Sequence, residues 1–491
     1  IVIMQKPNIL WYCTDQQRFD TIATLGNHYI QTPRLDEFVS TSVAFTHAYC
    51  QSPICTPSRA SFLTSMYPSA LAVNGNGIER FPSHYENRLI PHVLSQAGYD
   101  CGLVGKLHLS SAALGQEKRV NDGYRYFQYS HDHKGPNTFG HDYAEWLRQQ
   151  YADPENLMQT PVKASDYRDG AHRQSFGGLR EPSANQDNIP PHLHQTYWCT
   201  EKAIEFIQKN RPINQPWFLS VNPFDPHPPF DAPLSYYQRY NPLQLPGANF
   251  RSTDLSHQQK LMEAGIDFQS EPNLPEQWQD KKVQAAYYAM IEQIDTEFGR
   301  LIDFLDQTGQ RQNTIIIFMS DHGEMLGDHG LMLKGCRFYE GLVRVPLIIS
   351  YPVQFQQNVI TSALVELVDL VPTLYESLGF PMPHYIQGQS LHRVLTGQTT
   401  EHRNNIRCEF YGAIDYPDQT LATMYRDRQW KLVNYHHKGI CELYDLDKDP
   451  WEFQDLSTDP NWQDKKWTLM QKSFDSTVSA QPPMTPRIQP Y

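Results

Sequence analysis

The chain has 491 residues, with 41 Lys and Arg against 54 Asp and Glu, for a formal net charge of −13. That balance excludes the basic excess of a nucleic-acid-wrapping protein and leaves an anionic partner only through a local basic pocket. A content of 40% hydrophobic and 12% aromatic residues excludes disordered and fibrous classes, and no apolar run approaches the ~20 residues that cross a bilayer.

In chain order, four short apolar runs read as strands: Asn8–Thr14, Tyr99–Gly105, Trp217–Asn222 and Thr314–Ser320. Each is continuous rather than alternating, as a strand covered on both faces should be. The clearest helix is Val283–Gln307, where Tyr287, Met290, Ile291, Ile294, Phe298, Leu301, Ile302 and Leu305 recur at three- and four-residue steps before Gly309. Strands alternating with helices predict a doubly wound α/β sheet, mixed and mostly parallel. The polar stretch 130–186, rich in His, Gly, Asp and Asn, is expected to be a loop insertion lining a substrate cleft. From about residue 395 the runs MYRDRQWKLVNY and ELYDLDKDP suggest a small antiparallel sheet. The expected division is therefore 1–394 as a catalytic α/β unit and 395–491 as a smaller subdomain.

Eight scattered cysteines without a C-x-x-C pair suggest neither a zinc cluster nor a dense disulfide framework. The sequence starts Ile-Val-Ile-Met rather than with a single Met, which leaves both a processed and a tagged chain open. A periplasmic or secreted location is the expectation, with a cytoplasmic one left open.

The residues just past each predicted strand are more informative. Asp15-Gln16 lies after the first, Lys106-Leu107-His108 after the second and Asp321-His322 after the fourth, while Pro226-His227-Pro228 comes shortly after the third. Ligand crevices of open α/β sheets lie at the carboxyl ends of the strands, so these residues should converge on one edge. Cys55-Thr56-Pro57-Ser58-Arg59-Ala60 is the sharpest local motif. Pro57 suits a first helical turn, which puts Cys55 at a helix N-terminus where negative charge is favoured, and Arg59 could reach the same spot. A lone Cys is ordinarily a buried structural thiol; the C-x-P-x-R pattern argues otherwise here.

CTPSRASFLTSMYP resembles the maturation signature of the formylglycine-dependent sulfatases of the alkaline phosphatase superfamily. PNILWYCTDQQ is similar to that family's first strand and metal loop, AGYDCGLVGKLHL to its G-K-x-H segment and SDHGEMLGDHGLMLKG to its second metal segment. ELYDLDKDPWEFQDLS resembles the closing sheet, so the likeness covers nearly the whole chain. It implies that Cys55 is oxidised to formylglycine by a maturation enzyme. It also implies that Asp15, Gln16, Asp321 and His322 hold one divalent cation together with an oxygen of the modified residue. Oxygen donors suit Ca²⁺ first, with Mg²⁺ or Mn²⁺ as alternatives. Many members carry two adjacent Asp residues in the first loop, where this chain has Asp15-Gln16. The implied chemistry uses the two hydroxyls of a hydrated aldehyde, one attacking sulfur and the other, once deprotonated, releasing sulfate.

By the same resemblance, Lys106 and Lys334 bind the sulfate, Arg59 orients formylglycine, His227 protonates the leaving oxygen and His108 assists turnover. His329 is a candidate substrate contact or support for His322, and Asn74 and Asn76 are further pocket candidates. The run His131-Asp132-His133 reads as a loop or part of a substrate subsite rather than a metal site. The expected activity is hydrolysis of a sulfate monoester. A phosphonate monoester hydrolase or phosphodiesterase of the same fold is the alternative, and a non-catalytic glycan-binding protein is the outcome if Cys55 is not matured. Aromatic residues beside the predicted loops (Tyr124, Tyr126, Tyr129, Trp146, Tyr236, Tyr237, Tyr411 and Tyr416) suit stacking on sugars. A sulfated carbohydrate of carrageenan or glycosaminoglycan type is therefore expected, ahead of choline sulfate and aryl sulfates. Homo-oligomerisation is left open.

Overall fold

The apolar runs pair with one another. Eight strands, β1 (Asn8–Thr14), β2 (Val43–Tyr49), β3 (Asp100–Gly105), β4 (Tyr126–Tyr129), β5 (Trp217–Asn222), β6 (Thr314–Ser320), β7 (Arg344–Ser350) and β8 (Val359–Glu366), form one sheet. Its order is β4-β3-β5-β1-β6-β7-β2-β8. The computed structural model describes residues 6–112, 115–131, 140–151, 178–185, 187–209, 211–212, 214–266, 268–414 and 420–482. Only β7 runs antiparallel to its neighbours, so the carboxyl ends of β1, β3, β5 and β6 share one edge. The mixed, mostly parallel sheet is the expected one, and the predicted second strand starts one residue later, at Asp100.

Both faces of this sheet are covered, which is why its central strands need no polar alternation. Ile9, Trp11 and Cys13 of β1 enter one apolar core, with Phe62 and Leu63 of the Cys55–Thr64 helix. Leu10 and Tyr12 enter the other, against the helices Gln195–Gln208 and Asp280–Gln307. The long helix begins three residues before the predicted Val283, at Asp280. Trp11 stacks on Phe62 with centroids 5.7 Å apart, which fixes the signature helix against the first strand.

Beyond this sheet, β9 (Ile406–Tyr411), β10 (Leu421–Arg426), β11 (Trp430–His436) and β12 (Ile440–Asp445) form an antiparallel sheet in the order β12-β11-β10-β9. The helix Gln463–Ser479 comes after it. Cys408, Met424, Val433 and Tyr435 of this sheet join the first core. All eight cysteines are unbridged. Within the predicted loop insertion, a helix, Asp142–Gln150, buries Tyr143, Ala144 and Leu147. Residues 132–139, 152–177 and 186 of that insertion lie outside the described residues. No helix of the described residues is long and apolar enough to cross a membrane.

Candidate active site

Each strand end delivers its side chain through a constrained backbone. Gly105 closes β3 at φ +96°, and a Cβ there would lie 2.0 Å from Asn222 O, so only glycine lets β3 run this close to β5 before Lys106. Lys106 N donates to Asn222 O at 2.9 Å, and Asn222 Nδ2 donates back to Lys106 O at 2.8 Å. Gln16 and His108, the turn residues after β1 and β3, sit at φ +70° and +56°, a conformation that costs energy for any residue with a Cβ.

These ends converge with the Cys55–Thr64 helix. The ligand atoms of Asp15, Cys55, Asp321 and His322 all lie within 4.8 Å of one another, and all four residues are buried. Cys55 Sγ is 3.1 Å from His322 Nε2, 3.7 Å from Asp15 Oδ1, 3.8 Å from Lys106 Nζ and 2.9 Å from Lys334 Nζ. Lys106 also pairs with Asp15 Oδ2. Arg59 Nε donates to Asp321 Oδ2 at 2.8 Å and Nη1 to Lys106 O at 3.0 Å, while Nη2 stands 3.7 Å from Asp15 Oδ2. One guanidinium thus spans both carboxylates, a geometry its planar fork favours. Ser58 Oγ donates to Asp321 O at 2.6 Å.

His227 accepts from Lys334 Nζ at Nε2, 3.1 Å away, and its Nδ1 donates to Pro228 O at 2.7 Å. Its ring packs on Phe224 at 4.5 Å, and the Lys106 ammonium stands 5.2 Å over that same ring. His108 faces His131 edge-on at 4.4 Å. The His131 subsite expectation therefore places this ring beside the site, while Asp132 and His133 lie outside the described residues.

Three candidates sit differently. His329 is stacked on Tyr339 at 3.9 Å with Nδ1 3.4 Å from Asp254 Oδ1, and these contacts do not bring it to Cys55. Asn76 spends its Oδ1 on Thr56 N at 2.9 Å, fixing the first turn of the signature helix. Asn74 Oδ1 is buried without a hydrogen-bond partner among the described residues. The stacking expectation fails at Tyr124, Tyr129, Tyr236 and Tyr237, which are buried packing residues and present no face to a sugar. Tyr416 lies outside the described residues.

Two buried acids escaped the sequence reading. Glu117 accepts from the main-chain N–H groups of His108, Leu109 and Ser110 at 2.7, 2.7 and 3.0 Å and so fixes the turn that presents His108. Glu324 accepts from Gln16 Nε2 and from Leu333 and Leu326 N. A signal existed only for Glu324, which lies within the Asp321-His322-Gly323-Glu324 run.

Charge shapes the reactivity. Burial and Asp15 push the Cys55 thiol up, yet Lys106, Lys334 and His322 outweigh them and bring it from 9.0 down to about 7. Burial also opposes the charge on Asp15, but Lys106, Arg59 and Lys334 hold its carboxyl well below the usual range. Burial would likewise lower His322; Asp321 and Cys55 instead raise it to about 9. Burial, with Lys334 beside His227 and Lys106 beside His108, keeps those two rings well below the ordinary histidine value.

A buried thiol set among two carboxylates, an imidazole and three cations could hold a metal ion and an anionic ester, and the similarity to known proteins decides the family. A model described as sulfatase matches residues 7–380. The chain belongs to the sulfatase family. A second model, N-sulphoglucosamine sulphohydrolase, C-terminal, matches residues 327–478. This sulfatase is 28% identical over 469 residues to an arylsulfatase of Clostridium perfringens, covering 94% of this chain and 92% of that protein. It is 26% identical over 494 residues to an N-acetylglucosamine-6-O-sulfatase of Bacteroides thetaiotaomicron, covering 95% and 85%. Its fold is similar to that of a phosphonate monoester hydrolase of Agrobacterium radiobacter, with a TM-score of 0.78, 22% identity and coverage of 98% and 100%. The protein is thus a sulfuric ester hydrolase of the alkaline phosphatase superfamily.

The family implies a divalent cation and a formylglycine, and the residues fit both. Two buried carboxylates and an imidazole stand around one point with Cys55, and the Gln16 carboxamide adds a neutral oxygen donor beside Lys334. Cys55 opens its helix from an extended Ile54, so an oxygen in the place of Sγ would stand among the same neighbours.

Proposed function

We propose that the sulfatase removes sulfate from a sulfated carbohydrate, a carrageenan-type or glycosaminoglycan-type oligosaccharide, using a formylglycine made from Cys55 and one divalent cation, Ca²⁺ in our reading. The observation that carries this is the gathering of Asp15, Asp321, His322, Arg59, Lys106 and Lys334 around Cys55. The carbohydrate assignment draws support from the relative named as an N-acetylglucosamine-6-O-sulfatase. When bound, the cation held by Asp15, Gln16, Asp321 and His322 supplies Lewis acidity, and formylglycine supplies the attacking oxygen.

The chain's own residues do the rest. Lys106 and Lys334 direct ammonium donors at the spot where Sγ stands and would hold the anionic oxygens of the ester. Arg59 keeps Asp15 and Asp321 aligned. His227 has Nδ1 committed to Pro228 O, so Nε2, which accepts from the Lys334 ammonium, is the atom that would relay a proton from Lys334 to the leaving oxygen. His108 stays neutral and can take up a proton as the nucleophile is regenerated. We also propose the unit boundary near residue 395, a periplasmic or secreted location and a maturation enzyme as partner.

Mass spectrometry of the Cys55 peptide, from a host with the maturation enzyme, is expected to show the formylglycine mass or its hydrate. An unmodified thiol in fully active enzyme would overturn the mechanism. Sulfate release across a panel of sulfated oligosaccharides is expected to exceed that from choline sulfate or aryl sulfates; the reverse order overturns the carbohydrate reading. The Asp15-Gln16 pair and the fold of the phosphonate monoester hydrolase favour a second reading, hydrolysis of phosphonate monoesters. Lys106 and His108 weigh against it, and the same panel with a phosphonate monoester decides.

A further inference from the structure

A carboxamide offers a cation one useful atom, its oxygen, while its nitrogen end repels it. An amide ligand therefore needs its two ends told apart, a requirement a carboxylate does not have. Gln16 Nε2 donates to Glu324 Oε2. Its Oε1 accepts from Lys334 Nζ at 2.8 Å, and that ammonium stands 2.9 Å from Cys55 Sγ and 3.4 Å from His322 Nε2. The oxygen end thus faces the cluster and the nitrogen end faces away from it.

Glu324 can impose this because it is itself fixed. Its Oε1 accepts from Leu326 N at 3.0 Å and from Leu333 N at 2.5 Å, and the residue is 0% exposed. The main chain of Gln16 is held as firmly: its N–H donates to Asp321 Oδ1 at 3.0 Å and its carbonyl accepts from Tyr287 Oη at 2.6 Å. With the main chain held in this way, exchanging the two ends of the amide would break the hydrogen bond to Glu324, so Glu324 sets which end faces the cluster.

We propose that Glu324 is a positioning residue that selects the oxygen of Gln16 for the cation, so that positions 16 and 324 act as a matched amide–carboxylate pair. The inference rests on the reading of Gln16 as a cation ligand. It also gives a physical sense to Gln at position 16: a carboxylate there would face the Glu324 carboxylate across a buried contact, which like charges disfavour.

Calorimetric titration of CaCl₂ into the metal-stripped protein tests this with four chains: the unaltered one, Gln16→Ala, Glu324→Gln and the swapped pair Gln16→Glu/Glu324→Gln. Glu324→Gln is expected to weaken Ca²⁺ binding by roughly 10–100-fold, as loss of a group that orients a metal ligand typically does. Whichever way the introduced amide turns, its NH₂ meets either Gln16 Nε2 or the N–H groups of Leu326 and Leu333, donor to donor. The swapped pair restores one donor and one acceptor at the contact, and its Ca²⁺ affinity is expected to return at least to the original level. Gln16→Ala is expected to lose affinity on its own.

Unchanged affinity in Glu324→Gln alongside a weakened Gln16→Ala overturns the positioning role and leaves the ligand reading standing. Unchanged affinity in Gln16→Ala overturns the ligand reading instead. A swapped pair as weak as Glu324→Gln assigns Glu324 a merely structural part and overturns the pairing. Should Glu324→Gln not fold, the swapped pair decides: folded with restored affinity supports the proposal, and unfolded or weak binding overturns it.

Discussion

At position 55 a buried thiol stands within reach of two lysines and an imidazole, and their charge wins over burial. Replacing Cys55 by Ser keeps the shape at slightly smaller volume and removes the thiol that maturation needs. The expected outcome is loss of turnover with a melting midpoint within about 2 °C of the original, read by sulfate release and by calorimetry. Arg59 is the stricter structural test. It is 1% exposed and serves Asp321, Asp15 and the Lys106 carbonyl together. Arg59→Ala strips buried carboxylates of a partner and is expected to cost about 3–5 kcal/mol in denaturant unfolding. Arg59→Lys should recover part of that stability but little of the activity, since an ammonium cannot direct separate N–H groups at Asp321 and Lys106 O. Most residues of this cluster are legible from sequence because each comes after an apolar run or opens a helix. Glu117 and Glu324 are not, because an acid in a polar turn shows its role only when the main-chain N–H groups around it are seen to point inward.

Among the elements, β1, β3, β5 and β6 are legible for one physical reason: strands buried on both faces leave a short, mostly apolar run without alternation. The other strands of the large sheet break that rule in identifiable ways. β7 carries Pro346, a residue that ordinarily argues against a central strand. Its partner β2 skips Thr46 and His47 in a bulge between Phe45 and Ala48, so Pro346 falls where the ladder asks for no N–H. β8 is half exposed, with Ile360 54% accessible at the sheet edge, and β4 has only four residues. The small sheet adds a buried charge cluster to its apolar packing. Glu442 of β12 accepts from Tyr435 and Tyr444 hydroxyls and from His257 Nε2, each at 2.7 Å, which ties that sheet to the Ser252–Glu263 helix. Burial would raise its carboxyl, but His257 and the two tyrosines bring it from 4.5 down to about 2. A carboxyl lower in the folded chain stabilises above its unfolded value, so this contribution is whole above about pH 5 and fades as pH falls toward 2. His257 is raised, burial opposing and Glu442 prevailing, so its share is lost as pH climbs through that raised value. Glu442→Gln is therefore expected to lower the melting temperature most near pH 6 and least near pH 3. An equal loss at both values would remove Glu442 from the pH dependence.

For the molecule as a whole, the net charge of −13 and an anionic substrate look opposed. Position resolves the opposition. Arg59, Lys106 and Lys334 are each at most 4% exposed and gather around Asp15 and Cys55, so their charge is concentrated at one site. Exposed charges act through a Debye length of ≈ 30 Å at 0.01 M salt and ≈ 8 Å at 0.15 M, and buried pairs are screened far less. A small monosulfated sugar held at this site meets mainly the buried cations, so its KM should change little over that range. A long sulfated chain also trails across the acidic surface, and at low salt it is repelled there. Its KM is expected to fall several-fold as ionic strength rises from about 0.01 to 0.15 M, while kcat holds, because screening removes a repulsion outside the reacting centre without touching the chemistry. Initial rates on an oligosaccharide ladder of increasing length, at fixed pH, measure this directly. A KM independent of salt at every length would mean that the acidic surface plays no part in selecting substrate, and a KM that rises with salt would mean that exposed cations capture the chain.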